Sequence, residues 1–337
     1  MFEGKTVLIT GGTGSLGNAL VERLLDLGIK QIRIFSRNEL KQIEMESKFN
    51  DDRLRFLVGD VRELPRVIRA TEDVDFVFHA AALKHVPKVE YNPFEAIKTN
   101  VQGSQNVIDA CLQNNVQKAI CIGTDKAVSP LNTYGATKLL MEKLFVTAQR
   151  YSNPKKHHTK FVAVRYGNVF GSSGSVIPKF IQQLKNKQKL TMTDSKMTRF
   201  NITMNEALDF ILKATLHAKG SEIFIPKLKS YILSDVKDAL IELLSDTGSE
   251  SIGIRPGEKL HESLINEDEI SQAFEYENMY VIIDPQYHHE GLEQIYPKIK
   301  KLDNVKKYSS DLAEKLSISE IKKLITDSGF LENHNKT

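Results

Sequence analysis

Short apolar runs rich in β-branched residues recur along the first half of the chain, and polar or helical stretches separate them. Residues 5–10 (KTVLIT), 31–35 (QIRIF), 55–59 (RFLVG), 76–80 (FVFHA), 119–123 (AICIG) and 161–165 (FVAVR) read as strands. Their apolar continuity predicts burial on both faces, as in a parallel sheet. Residues 16–25 and 105–112 carry apolar positions at helical spacing. Strands alternating with helices predict an α/β fold, a Rossmann-like doubly wound parallel sheet. Residues 152–160 (SNPKKHHTK) are polar, carry a proline and predict a surface loop. Beyond residue 170 the pattern is more broken. A helix at 236–244 and a short strand at 222–226 predict a smaller cap on the carboxyl edge of the sheet.

Composition narrows the class. The chain has 337 residues, of which 41% are hydrophobic and 26% charged, as in an ordinary globular protein of one large or two modest domains. A net charge of +3 is too weak a bias to imply nucleic acid or a membrane surface. No apolar run approaches the ~20 residues of a spanning helix. Residues 1–10 already read as structure, so no leader is expected. Cys111 and Cys121 cannot make a disulfide framework, and two reduced thiols in a cytoplasmic protein are expected.

Gly11, Gly14 and Gly17 lie between the first strand and the first helix with the spacing G-x-x-G-x-x-G. Small residues there let the backbone approach a pyrophosphate at a helix N-terminus, where free N–H groups and the dipole favour anions. The end of the second strand, where an NAD enzyme places a carboxylate for the ribose, reads Ser36-Arg37-Asn38-Glu39-Leu40-Lys41. Arg37 and Lys41 suit a 2′-phosphate, so NADP is the expected cofactor. Asp60 and Val61 end the third strand, near the adenine, and the small Ala80, Ala81 and Ala82 leave room after the fourth.

Tyr134 and Lys138 form Y-x-x-x-K, and on a helix these two positions share a face. A nearby ammonium and an oxidised nicotinamide are expected to lower the tyrosine pKa, which suits a base working on a hydroxyl while hydride leaves its carbon. Just upstream stand Thr124-Asp125-Lys126-Ala127. Redox at one carbon needs only tyrosine and cofactor, so an added acid and base imply a second proton transfer. Set against the extended short-chain dehydrogenase/reductase pattern that the glycine loop and Y-x-x-x-K resemble, the reaction implied is elimination on a sugar: oxidise C4, remove the acidified C5 proton, expel the C6 hydroxyl as water, and return hydride to C6. A solvated ion pair on the exit loop is the alternative. Lysine must be neutral to act as a base, and lowering its pKa by about 3 costs about 4 kcal/mol. Burial, Lys138 and nicotinamide push that way, while Asp125 pushes back unless protonated.

Behind a glycine loop, Y-x-x-x-K resembles the extended short-chain dehydrogenase/reductase family over nearly the whole chain. Residues 79–87 (HAAALKHVP), 124–127 (TDKA), 165–169 (RYGNV), 197–200 (MTRF) and 255–262 (RPGEKLHE) resemble the UDP-N-acetylglucosamine 4,6-dehydratases, in particular the C5-inverting type that opens pseudaminic-acid synthesis. That resemblance implies Asp125 as acid at the C6 hydroxyl, Lys126 as base at C5, Tyr134 at O4 and Lys138 on the cofactor ribose, with Thr124 beside them. It extends the cofactor set to Thr13, Ser15, Leu16, Lys84 and Asn100. Lys84, Asn168, Val169, Ser175, Val176 and Thr193 would touch substrate. Arg199 and Arg255 would grip the diphosphate, and Glu258 a ribose hydroxyl. No metal is implied, because His157-His158 and His288-His289 lack partners at ligand spacing. Residues 1–169 would bind NADP, 170–330 would mainly bind the UDP-sugar while interleaved with the first part, and 331–337 would fray. A homo-oligomer, by resemblance a hexamer, is expected. The chain departs from the family at Ser173, in place of an arginine, and at Asn201, in place of an aromatic. A C5-retaining dehydratase, a UDP-sugar 4-epimerase and a non-catalytic NADP sensor are the rival readings.

Overall fold

In the computed structural model, residues 1–172, 175–284, 291–303 and 305–331 are described. The six strands expected from the apolar runs are β1 (Thr6–Thr10), β2 (Gln31–Ser36), β3 (Leu54–Val58), β4 (Phe76–His79), β5 (Lys118–Ile122) and β6 (Lys160–Val164). Each lies within one residue of its expected start and end. A seventh, β7 (Glu222–Pro226), pairs parallel with β6. The parallel order is β3-β2-β1-β4-β5-β6-β7, so the strand order reverses between β1 and β4. That reversal opens a crevice at the carboxyl ends of the strands, the general ligand position of such sheets.

Strand 222–226 was expected in a cap and instead extends the main sheet. The reason is burial on both faces: all five of its residues are buried, like those of β1. Beyond it, β8 (Ala273–Tyr276) and β9 (Met279–Ile283) continue the sheet antiparallel.

Side-chain alternation splits the core into two layers. Val7, Ile9, Ile34 and Phe78 face α1 (Ser15–Asp26) and a later helix at Met204–His217. Leu8, Phe35, Val77 and Cys121 face the opposite layer, built on α2 (Gly103–Gln113) and α3 (Thr133–Tyr151). A third cluster, the cap, joins α4 (Val176–Lys185), α5 (Leu233–Leu243) and α6 (Ile318–Asp327). Leu331 packs on this cluster, while the rest of the tail expected to fray, 332–337, lies outside the described residues. Three short strands, Asn168–Val169, Thr198–Ile202 and Ser230–Ile232, form a separate small sheet between cap and main sheet.

Arg165, at the end of β6, is fully buried and bonded to Glu142 of α3 and to Glu269. A buried guanidinium is tolerable only when its donors are satisfied, and here two carboxylates and the Leu264 carbonyl take them. This pins the backbone that leads into Tyr166 and Asn168.

Candidate active site

A cleft of about 610 Å³ opens over the carboxyl ends of β1, β2, β4 and β5. The glycine loop forms its floor at the N-terminus of α1, which carries no acidic residue in its first turn. The helix packs so tightly on the loop that a Cβ at Gly17 would lie 2.1 Å from the Gly12 carbonyl oxygen. Such a cradle, with N–H groups and the positive end of a helix dipole facing the cleft, fits a pyrophosphate. Thr13, Gly14, Ser15 and Leu16 line it with Gly11 and Gly17.

Further along, Ser36, Arg37, Asn38 and Lys41 line the cleft with Asp60 and Val61. Asn38 caps the helix Glu39–Phe49 by accepting from the Lys41 amide. Arg37 is half exposed and lies 3.7 Å from Asp60, whose carboxylate is already bonded to Arg62 at 2.6 Å. Burial would raise the Asp60 pKa, but the Arg62 bonds and the Arg37 charge together hold it below the ordinary value. Ala80, Ala82 and Lys84 line the cleft after β4. His79 does not: it is buried between Thr10 and Ser104, and burial first, then Lys138, pushes its pKa down to about 3, which keeps it neutral.

Asn100 is turned away from the cleft. It sits in a π-helical turn, fully buried, and its amide bonds both the N–H and C=O of Leu83 and the Thr137 hydroxyl. It fixes the loop after β4 onto α3 instead of offering a free amide to a cofactor.

β5 leads into the candidate acid and base. After Ile122 the chain turns in one 3-10 turn, Asp125–Ala127, capped by Thr124. The turn packs on the start of α3 so closely that a Cβ at Gly135 would lie 2.4 Å from the Lys126 carbonyl oxygen. Asn132 caps α3 and also bonds the Gly257 carbonyl, which ties the substrate-side loop to the tyrosine helix. Tyr134, Lys138 and Thr124 line the cleft with Asn168 and Val169. Asp125 is fully buried, and its Oδ1 accepts from Thr124 Oγ1 at 2.8 Å and from Lys126 Nζ at 2.9 Å. Lys126 Nζ also donates to Asn168 Oδ1 at 3.1 Å.

Two protonation states differ from the expected ones. Burial is the largest influence on Lys126 and favours the neutral amine. Asp125 and Glu262 together outweigh it and raise its pKa above the ordinary value, so Lys126 rests as an ammonium. Burial also raises the Tyr134 pKa, and the cation opposing that rise is Lys126, with help from the Thr124 hydroxyl. Lys138 was expected in that role. Its Nζ instead bonds the Ile122 carbonyl at 2.6 Å, and burial lowers its pKa despite nearby Cys121 and Glu142.

The remaining substrate-side residues are more dispersed. Arg199 is buried, bonded to the Thr198 and Leu260 carbonyls, with Glu258 at 3.4 Å and Glu262 at 4.0 Å. Its guanidinium thus faces the two carboxylates of the 255–262 loop. Arg255 is exposed, near Lys179 and Glu258. Thr193 contacts the Met197 sulfur, Val176 packs on the cap, and Ser175 Oγ at the start of α4 is buried without a partner among the described residues. Asn201 shares that condition at Oδ1, while Ser173 and His288-His289 lie outside the described residues. His157 bonds the Leu112 carbonyl, and among the described residues no group of His, Cys, Asp or Glu is placed to hold a metal.

Sequence reasoning missed Glu262 and Lys259. Both stand in the RPGEKLHE block, but only the fold brings them to Lys126. Lys259 Nζ donates to the Val128 carbonyl and lies 4.0 Å from Glu262.

A family model described as polysaccharide biosynthesis protein matches residues 7–284. A UDP-N-acetylglucosamine 4,6-dehydratase (inverting) from Campylobacter jejuni is 49% identical over 84% of this chain and 84% of its own length. A UDP-glucose 4-epimerase from Rickettsia conorii is 40% identical over 100% of this chain and 99% of its own. Among solved structures, Pen from Bacillus thuringiensis superposes with a TM-score of 0.89 and 41% identity, covering 98% of this chain and 99% of that one. DesIV, a dTDP-glucose 4,6-dehydratase from Streptomyces venezuelae seen with NAD and TYD bound, has a TM-score of 0.68 at 21% identity over 76% of this chain and 86% of its own, a likeness of fold.

Proposed function

The chain belongs to the polysaccharide biosynthesis protein family and has the extended short-chain dehydrogenase/reductase fold; on that premise we propose that it is a UDP-N-acetylglucosamine 4,6-dehydratase of the C5-inverting kind. The product is UDP-2-acetamido-2,6-dideoxy-beta-L-arabino-hex-4-ulose. The observation that carries this reading is the Asp125–Lys126 pair, 2.9 Å across, at the end of β5 beside Tyr134. Epimerisation at C4 needs no acid and base beyond the tyrosine, and a sensor needs neither.

The resting ion pair holds the one proton that both roles share. Proton transfer from Lys126 to Asp125 across their bond gives at once an amine and a carboxylic acid. Tyr134 takes the proton from O4. A nicotinamide cofactor, which the glycine loop, Tyr134 and Lys138 would hold in the cleft, would supply reversible hydride transfer. Lys126 takes the C5 proton, and Asp125 gives its proton to the departing C6 hydroxyl, which leaves as water. The pair is then an ion pair again; once C6 carries hydride, the proton that Tyr134 took from O4 goes to C5 on its other face, so the whole cycle is proton-neutral. Thr124 and Asn168 hold the two side chains in register.

NADP is the proposed cofactor, with Arg37 and Lys41 on its 2′-phosphate. Arg62 supports this by occupying Asp60, which leaves Arg37 its exposed end. Arg37→Asp should weaken NADP relative to NAD by about tenfold or more, as one charge-assisted pair is lost. Equal preference in wild type and variant by titration of both nucleotides would defeat the assignment. A homo-oligomer is supported by Tyr91 (86% exposed), Phe94 (64%) and Leu140 on neighbouring helices, an apolar surface suited to a second copy. Among the described residues no helix is long and apolar enough to cross a membrane. Two buried free thiols and a nucleotide-sugar substrate fit a cytoplasmic setting.

The functional test is mass spectrometry of UDP-N-acetylglucosamine incubated with the purified protein. A product lighter by one water is expected; an isomer of unchanged mass would instead make the protein a 4-epimerase.

A further inference from the structure

Glu262 reaches the Asp125–Lys126 pair from the substrate-side loop. It is 3% exposed. One carboxylate oxygen lies 3.8 Å from Lys126 Nζ and 4.0 Å from Arg199 Nε, and the other 4.0 Å from Lys259 Nζ. The second oxygen accepts no hydrogen bond among the described residues. Burying a carboxyl group with an unbonded oxygen is costly for the fold alone. Four groups make up its charged surroundings: Lys259 on its own loop, Asp125 and Lys126 on the turn after β5, and Arg199 on the strand Thr198–Ile202. His261, next to it in sequence, is turned towards the Thr198 hydroxyl.

We propose that Glu262 is a positioning residue for the elimination, acting through Lys126 to keep the pair's working proton inside the site. This rests on the dehydratase reading above. A negative charge at this distance opposes loss of the lysine proton to solvent. The proton then has one productive route, across to Asp125, which creates acid and base together. Removal of the C5 proton restores the ammonium, departure of water restores the Asp125 carboxylate, and Glu262 is unchanged from start to finish. Burial and Asp125 raise the Glu262 pKa against the pull of Lys126, Arg199 and Lys259.

The test is the pH dependence of kcat. Below its acidic limb the cluster holds one proton too many and Lys126 cannot act as a base. In Glu262→Gln that extra proton is more easily lost, so the limb should move to lower pH by about 1 or more. Glu262→Asp keeps the charge and should leave the limb near its wild-type position. A Gln profile superimposable on wild type, or an Asp profile displaced as far as Gln, would overturn the proposal. Should Glu262→Gln not fold, Glu262→Ser carries the same expectation. A second readout needs no turnover: the 13C resonance of the Lys126 ε-carbon, followed by NMR in the full chain with its nicotinamide cofactor. Its titration midpoint should lie lower in the Gln variant, and equal midpoints would overturn the coupling. A wild-type protein that releases no dehydrated product defeats the dehydratase reading and leaves the NMR titration to decide the role of Glu262.

Discussion

Lys126→Arg should lower the rate of dehydration by about 10³-fold, the usual scale for loss of a general base. The guanidinium keeps the positive charge against Asp125 and Glu262 but does not give up its proton in a protein. The fold and the ion pair survive, and the base is lost. Lys126→Met tests the same step more harshly. It leaves Asp125, with a side chain 1% exposed, without its cation, so it should also lower the thermal midpoint. Both variants should still bind the dinucleotide, because Lys126 does not line the dinucleotide cleft. Product formation by the Arg variant within tenfold of wild type would remove Lys126 from the proton transfer.

Tyr134→Phe should cost about as much, 10³-fold in kcat, with little change in nucleotide affinity. The direction of the pH effect follows from the site. Burial raises the Tyr134 pKa, and the Lys126 ammonium acts against that rise. A base works in the deprotonated form, so the wild-type rate should climb with pH through the tyrosine titration. The residual rate of Tyr134→Phe should lack that climb. A Phe variant retaining the climb would assign it to another group. Rate measurements across pH at saturating substrate decide between them.

Much of this site is legible before folding. The parallel strands announce themselves because burial on both faces leaves contiguous apolar runs, and the glycine loop is placed by the strand and helix around it. Asp125, Lys126, Tyr134 and Lys138, a few positions apart, were legible from the Y-x-x-x-K spacing together with the family resemblance, and the fold brings them together. What escaped has a common cause. β7 was taken for a cap strand because an apolar run of five does not say which sheet it joins. Asn100 looked available as a polar residue, yet its amide is used up by Leu83 and Thr137. The Glu258 and Glu262 carboxylates beside Arg199 were likewise not legible before folding. Glu262 itself is invisible until the substrate-side loop closes on the turn after β5, a contact made by Lys259 on Val128 and Asn132 on Gly257.

The charge state of Lys126 also alters the chemistry read from the sequence. A lone lysine base needs its pKa lowered at a cost of about 4 kcal/mol. The ion pair raises the Lys126 pKa and so does not remove that cost, but the proton given up passes to Asp125 and becomes the acid the departing hydroxyl requires. Asp125 and Lys126 therefore act as one unit, and replacing both should cost little more than replacing either.

The most direct measurement is NMR of the product formed from UDP-N-acetylglucosamine in D2O. The account predicts a 4-keto sugar with a methyl group at C6, deuterium at C5 and the C5 configuration inverted. A sugar that keeps its C6 hydroxyl and carries no deuterium at C5 would contradict it.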